Sequence, residues 1–400
     1  MAAEVQAARK HLQALVGVKP NRRTGSAGNR EATAYFAGRA RRVGFSVDMT
    51  AFPCLDYVGG AASLSCKGER FALNSGPYSL ACDKSAPLIV ATTEKELENC
   101  DCRDKILLLK GPICSEQLMP KNFVFYNPEH HRRIYALLED KKPAGLIAAT
   151  GYKPEQVGAL HPYPLVIDGD FDIPNAYCTE TAGERIAEAA ECAFRLSVQG
   201  ERIPSTASNV IARKNPEAAR KIVLTAHIDA YENSPGASDN ASGTVVLLLL
   251  AQLLGDYRGA LGVEIAALNG EDHYSAGGQM DYLRRYGSRV DQVLVAVNID
   301  GVGYRKGETA YSLFDCTDEI EQAAQIALGP CEGIEPGEQW YSGDHMIFAQ
   351  AGRPAIAFTS SKMSELMRTI THTERDVLQI IDPERLVQLA HALDTLVRRL

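Results

Sequence analysis

His227 and Asp229 stand two residues apart in AHIDAYENSPGASDNASG (226–243), and Asp239 follows across a loop broken by Pro235 and Gly236. Glu271 and Asp272 are adjacent in NGED, Asp300 closes VLVAVNID, and His372 lies in THTERD. Imidazoles and carboxylates without a cysteine among them form a nitrogen–oxygen donor set. Such a set suits zinc, manganese or cobalt better than a thiolate-selective metal. Taken singly, each residue has an ordinary reading. His227 reads as a core histidine, Asp239 as the N-cap of the helix that opens at NASGTVVLLLL, and Asp300 before Gly301 as a turn residue. Glu271-Asp272 reads as a strand-end turn, His372 as part of a solvated loop, and Trp340 and Tyr341 as packing.

Their common placement argues otherwise. KIVLTAH ends at His227, VEIAALNGED at Glu271-Asp272 and VLVAVNID at Asp300, and the loop after RPAIAFTS holds His372. These apolar runs alternate with helical stretches at 243–256, 275–287, 317–328, 344–351 and 383–399. Strands alternating with helices predict a mostly parallel α/β sheet covered on both faces. Ligands of such sheets bind beyond the carboxyl ends of the strands. Acids and imidazoles collected there are costly unless paired or bound to a metal. The charges balance for two zinc ions: Asp239, Asp272 and Asp300 with one hydroxide offset four positive charges, and the histidines are neutral ligands.

Upstream, residues 1–50 read as helix, loop (NRRTGSAGN), a second helix ending near Gly44, and the strand FSVDMTAF. Residues 51–204 have a different texture, with short apolar runs such as KILLLKG and AGLIAATG between Gly, Pro and charge, and predict a smaller strand-rich α+β unit. His130 and His131 in PEHHRRIY could serve as metal ligands, but read rather as a solvated basic turn.

The chain has 400 residues, enough for about two domains, and a net charge of -8 that argues against a nucleic-acid binder. The N-terminus reads as an amphipathic helix rather than a leader, and the longest apolar run, TVVLLLLAQLL, falls short of the ~20 residues that span a bilayer. A cytoplasmic protein without a membrane partner is the expectation. The ten cysteines show a lone CxC at Cys100 and Cys102 and no CxxC, so reduced, mostly buried thiols are expected. HExxH, GxSxG, Walker and GxGxxG templates are absent.

AHID…SPGASDNASG, NGED, NIDGVG, SGDHMIFAQAGRPAI and THTERD, in that order, resemble the co-catalytic di-zinc aminopeptidase family, which also contains glutamate carboxypeptidase, glutaminyl cyclases and the transferrin receptor. The likeness covers residues ~205–400 with the lead-in RRTGSAGNREATAYFAGRARRVGF. CRDKILLLKG and LLEDKKPAGLIAAT carry a fainter likeness to the protease-associated domain inserted in that family. The resemblance implies a zinc peptidase domain over 1–50 and 205–400, with the insertion at 51–204.

It implies His227 and Asp300 on one zinc, Asp272 and His372 on the other, and Asp239 bridging them beside a cis peptide to Asn240. Asp229 would orient His227, Glu271 would be the general base toward a metal-activated water, and Tyr341 would stabilise the oxyanion. The family commonly has Glu-Glu where this chain has Glu271-Asp272, so the second metal meets a shorter ligand. His345 is read as structural or substrate-side rather than as a ligand, and His273 has no assigned role. The implied activity is an aminopeptidase acting on peptides with a free N-terminus, with two zinc ions replaceable by manganese or cobalt. Alternatives are one-zinc glutaminyl-cyclase-like acyl transfer, a non-catalytic receptor-like binding module, and a carboxypeptidase using Arg353, Arg368 or Arg375 as its carboxylate pocket. Assembly of identical chains is left open.

Overall fold

The computed structural model describes residues 1–189 and 193–400. The chain divides into two compact units, Met1–Cys54 with Thr206–Leu400, and Leu55–Ser205.

The larger unit is built on an eight-stranded sheet. Its strands are β1 (Ser46–Asp48), β2 (Val210–Lys214), β3 (Lys221–His227), β4 (Gly262–Leu268), β5 (Val293–Ile299), β6 (Thr309–Phe314), β7 (Ile334–Pro336) and β8 (Ala355–Ser360). Their spatial order is β1-β2-β4-β3-β5-β8-β6-β7. The central four, β4-β3-β5-β8, run parallel. β1 pairs antiparallel with β2, Ser46 opposite Arg213, and β2 pairs antiparallel with β4. Every residue of β4 and β5 is buried, as continuous apolar runs in a doubly covered parallel sheet should be.

The chain leaves β3 for β4 on one side and then crosses to β5 on the other. The two crossovers diverge at the carboxyl end of β3, and that divergence opens a crevice. His227 is the last residue of β3 and stands at its mouth.

Helices α1 (Ala2–Val16), α2 (Ala27–Arg42), α3 (Ser242–Leu253), α5 (Asp318–Leu328) and α6 (Pro383–Arg399) share one core with the sheet. Between α3 and α5, α4 (Gly277–Tyr286) packs Tyr282 against Phe348. In α3 every residue from Ser242 to Ala251 is buried, so its apolarity is that of a core helix. The helical run Ala237–Asp256 is long and apolar enough to cross a membrane by length and composition, but 83% of its most apolar window is buried in the fold.

Two expectations upstream are corrected. The loop expected over NRRTGSAGN is shorter, because α2 starts at Ala27 with Ser26 capping the Asn29 N–H. Cys66 is disulfide-bonded, against the expectation of reduced thiols, while eight other cysteines are free.

The smaller unit is a closed barrel. Its strands follow the order Ala51–Cys66, Glu69–Ser75, Asn175–Thr179, Gly145–Thr150, Ile106–Leu109, Cys82–Ala91 and Ala193–Ser208. The pleat sends alternate side chains to opposite faces: Ile106 and Leu108 join one core, Leu107 and Leu109 another that includes Leu138 and Tyr135. His130 and His131 lie in the helix Glu129–Lys141, not in a turn. Four-residue spacing buries His131 and Tyr135 on the helix's apolar face.

Candidate metal centre

The carboxyl ends of the parallel strands bring five residues together. His227 Nε2 lies 3.1 Å from Asp239 Oδ1 and 3.4 Å from Asp300 Oδ2. His372 Nε2 lies 3.2 Å from Asp239 Oδ2 and 3.2 Å from Asp272 Oδ1. The two oxygens of Asp239 therefore face different imidazoles. Two triads result, His227–Asp239–Asp300 and Asp239–Asp272–His372, with Asp239 common to both and each set of ligand atoms mutually within 4.8 Å.

Local structure explains these positions. Asp300 directly follows β5, and its N–H donates to the Phe358 carbonyl on β8. Asp272 follows β4 through Asn269-Gly270, where Gly270 takes φ 91°. Asp239 does not cap the following helix as its position suggests. Asn240 does so: its Oδ1 accepts the Gly243 N–H at 2.9 Å, and its Nδ2 donates to the Ile299 carbonyl at 2.9 Å. Asn240 thus ties the start of α3 to the residue before Asp300 and leaves the Asp239 carboxylate for the site. The Asp239–Asn240 peptide is cis. His372 itself sits at φ 65°, and Tyr231 stacks on its ring.

Asp229 Oδ1 lies 3.5 Å from His227 Nδ1, and Thr24 donates to its Oδ2 at 2.8 Å. Glu271 approaches the ligand atoms of His227 and Asp272 and makes no hydrogen bond or ion pair among the described residues. Burial, reinforced by Asp272, Asp300 and Asp344, holds its carboxyl well above the usual range. Burial likewise pushes Asp300 up to about 6 and Asp344 up to about 7. Asp239 goes the other way: burial opposes ionisation, but His227 and His372 overcome it.

The donor chemistry fits a dication. Both ring nitrogens of His227, Asp229 Oδ1 and Asp272 Oδ2 are buried without a hydrogen-bond partner of good geometry. Buried polar atoms are otherwise almost always satisfied. A ring of acids around two imidazoles needs positive charge at its middle.

The remaining expected residues lie elsewhere. Tyr341 is 66% exposed, donates its hydroxyl to Gln339 at 2.6 Å and packs edge-on against Phe314; the structure does not bring it into the cluster. His345 is buried, with Nε2 2.9 Å from the Trp340 carbonyl, and burial pushes it down to about 4. Arg353 donates to the Val293 carbonyl, at the opposite end of β5 from Asp300. Arg375 is exposed against Thr373. His273 contacts Ser275.

A second group, Glu116, His130 and His131, has neighbouring ligand atoms in the smaller unit. His131 Nδ1 accepts the Met119 N–H at 3.0 Å. The proton of the neutral ring therefore sits on Nε2, 3.2 Å from Glu116 Oε1, so neither ring nitrogen is left with a free lone pair for a metal.

The sequence reading missed Arg22, Thr24 and Asp376. Asp376 is fully buried, and its carboxylate accepts the N–H groups of Ser238 and Asp239 at 2.7 and 3.0 Å. It lies inside the THTERD motif, but nothing in the spacing marks it as an acceptor for a segment over a hundred residues away.

Residues 209–397 match the profile of Peptidase family M28. The chain is 25% identical over 273 residues to aminopeptidase YwaD of Bacillus subtilis, a match covering 64% of this chain and 57% of that protein. The chain thus aligns with little more than half the length of this relative. The fold is shared with BSAP, a zinc aminopeptidase from Bacillus subtilis, at TM-score 0.74 and 20% identity, over 98% of this chain and 94% of that one. It is also shared with Porphyromonas gingivalis glutaminyl cyclase at TM-score 0.52 and 16% identity, covering 98% and 97%. Zinc is the metal that the donor set and the family match support.

Proposed function

We propose that this chain, whose residues 209–397 match the profile of Peptidase family M28, is a zinc-dependent aminopeptidase holding two metal ions and removing N-terminal residues from peptides. The observation that carries this reading is the division of the Asp239 carboxylate, one oxygen toward His227 and the other toward His372. His227 and Asp300 would hold one ion, Asp272 and His372 the other, and Asp239 both.

Bound zinc supplies Lewis acidity, which polarises a carbonyl and lowers the pKa of water. Asp229 Oδ1 faces His227 Nδ1 at 3.5 Å, which leaves Nε2 as the ligand atom. Glu271, unpaired among the described residues, takes the proton from the attacking water at its carboxylate and delivers it to the leaving amine nitrogen.

The side chains that meet at the site are acids and imidazoles, which suits an amine-terminal substrate better than one ending in a carboxylate. A terminal carboxylate would need a cation instead. Arg353 is committed to the far end of the sheet.

The test is metal content per chain together with hydrolysis of aminoacyl p-nitroanilides by wild type and Glu271→Ala. Two zinc ions, with activity lost and metal retained in the variant, are expected. One ion with cyclisation of glutaminyl peptides, or no hydrolysis across a broad panel, would overturn the reading.

A further inference from the structure

We infer that Arg22 and Thr24, some two hundred residues upstream of the ligands, are positioning residues that preset the ligand-bearing segment 227–239 for metal; this rests on the metal-centre reading above. Arg22 is 2% exposed, and its guanidinium is spent on backbone carbonyls. It donates to Ile228 O at 3.2 Å, Pro235 O at 2.7 Å, Gly236 O at 2.8 Å and Leu15 O at 3.1 Å. Three of these four acceptors lie between His227 and Asp239. A buried guanidinium is expensive to desolvate, and its planar fork fixes the directions of several acceptors at once.

The loop is shaped around that fork. Gly236 takes φ 61°, and a Cβ there would fall 2.8 Å from Arg22 Nη2 and 2.5 Å from the Asp239 carbonyl. Thr24 is fully buried, and its hydroxyl holds Asp229 Oδ2, which places the other oxygen toward His227 Nδ1. At the far end, Asp376 holds the N–H groups of Ser238 and Asp239. Asp376 is also the first of the acids that face Arg22 electrostatically, ahead of Asp229, Asp239 and Asp272.

Neither Arg22 nor Thr24 reaches a ligand atom. Their effect is to order the loop before an ion arrives, so that binding does not bear the entropy of ordering it.

The experiment is a competition titration of zinc against a chromophoric chelator, using the full chain. Thr24→Val removes the hydroxyl at nearly constant volume, and Thr24→Ser restores it. Thr24→Val should weaken zinc binding about 10- to 100-fold, with Thr24→Ser recovering wild-type affinity and the metal-free circular dichroism unchanged in both. Arg22→Lys, which keeps the charge but loses the fork, should weaken binding in the same range. The absorption bands of the cobalt-loaded protein should shift in Thr24→Val, because His227 is no longer held at one angle. Wild-type affinity and cobalt bands in a folded Thr24→Val would overturn the inference. If Arg22→Lys does not fold, the Thr24 pair decides. A wild-type chain that binds no zinc would instead overturn the metal-centre reading itself.

Discussion

The ring of Tyr231 lies flat against the ring of His372, with centroids 4.5 Å apart and planes 15° from parallel. His372 has no strand or helix to hold it and occupies the left-handed region at φ 65°. Both its neighbours in the site are carboxylates, so the stack supplies its apolar support. Tyr231→Leu should therefore loosen the metal shared by Asp239, Asp272 and His372, lowering zinc affinity about 10-fold. Tyr231→Phe keeps the stacking face and should bind as wild type. Equilibrium dialysis of the two variants separates these outcomes, and equal affinity in Tyr231→Leu would show that the stack is idle.

A second buried charge sits at the amino end of the sheet, away from the metal centre. Glu264 is 1% exposed and receives Arg213, Lys221 and the Tyr282 hydroxyl. Burial raises its pKa, but the two cations outweigh burial and hold it below the usual carboxylate range. Glu264→Leu strands those cations and should cost about 3–5 kcal/mol. The lowered urea midpoint should come with unchanged zinc stoichiometry, since the ligands stand at the opposite strand ends.

His11 gives a pH dependence with a defined sign. Burial, with the Arg39 charge behind it, pushes its imidazole down to about 4, and its Nδ1 lies 2.7 Å from the Tyr35 hydroxyl. The folded state thus refuses a proton that the unfolded chain takes near pH 6.5. This contribution is complete above pH 6.5 and is lost as the pH falls toward 4, amounting to at most about 3 kcal/mol. His11→Gln should flatten the fall in Tm between pH 6.5 and 4.5. An unchanged slope would place the acid sensitivity elsewhere.

What the sequence made legible, and what it did not, follows from where each signal resides. His227, Asp272 and Asp300 were readable because apolar strands end at or just before them, and strand ends in parallel sheets face one crevice. Asp239 looked like a helix cap because the cap is its neighbour. Only the structure shows that Asn240 takes the Gly243 N–H and frees the aspartate. Arg22 and Asp376 were silent because their partners lie far away in the chain and are backbone atoms, which leave no residue pattern. His131 was misread because PEHHRRIY is polar in composition, while its burial depends on the four-residue step to Tyr135. Tyr341 was proposed from family likeness alone, and its exposed position gives that role no geometric support.

The antiparallel pairing of β1 with β2 has a consequence for how the chain is assembled. Asp48 lies opposite Ile211, so the chain leaves the sheet and returns to it on adjacent strands. Topologically the two strands are the arms of a hairpin, and everything between them is its turn. Loop-closure cost grows only with the logarithm of loop length, so closing a turn of this size costs the sheet about 3 kcal/mol more than closing a short one. The strand order, and with it the spacing of the strand ends that carry the ligands, is thus set by the pairing of β1 with β2 and not by the length of chain between them.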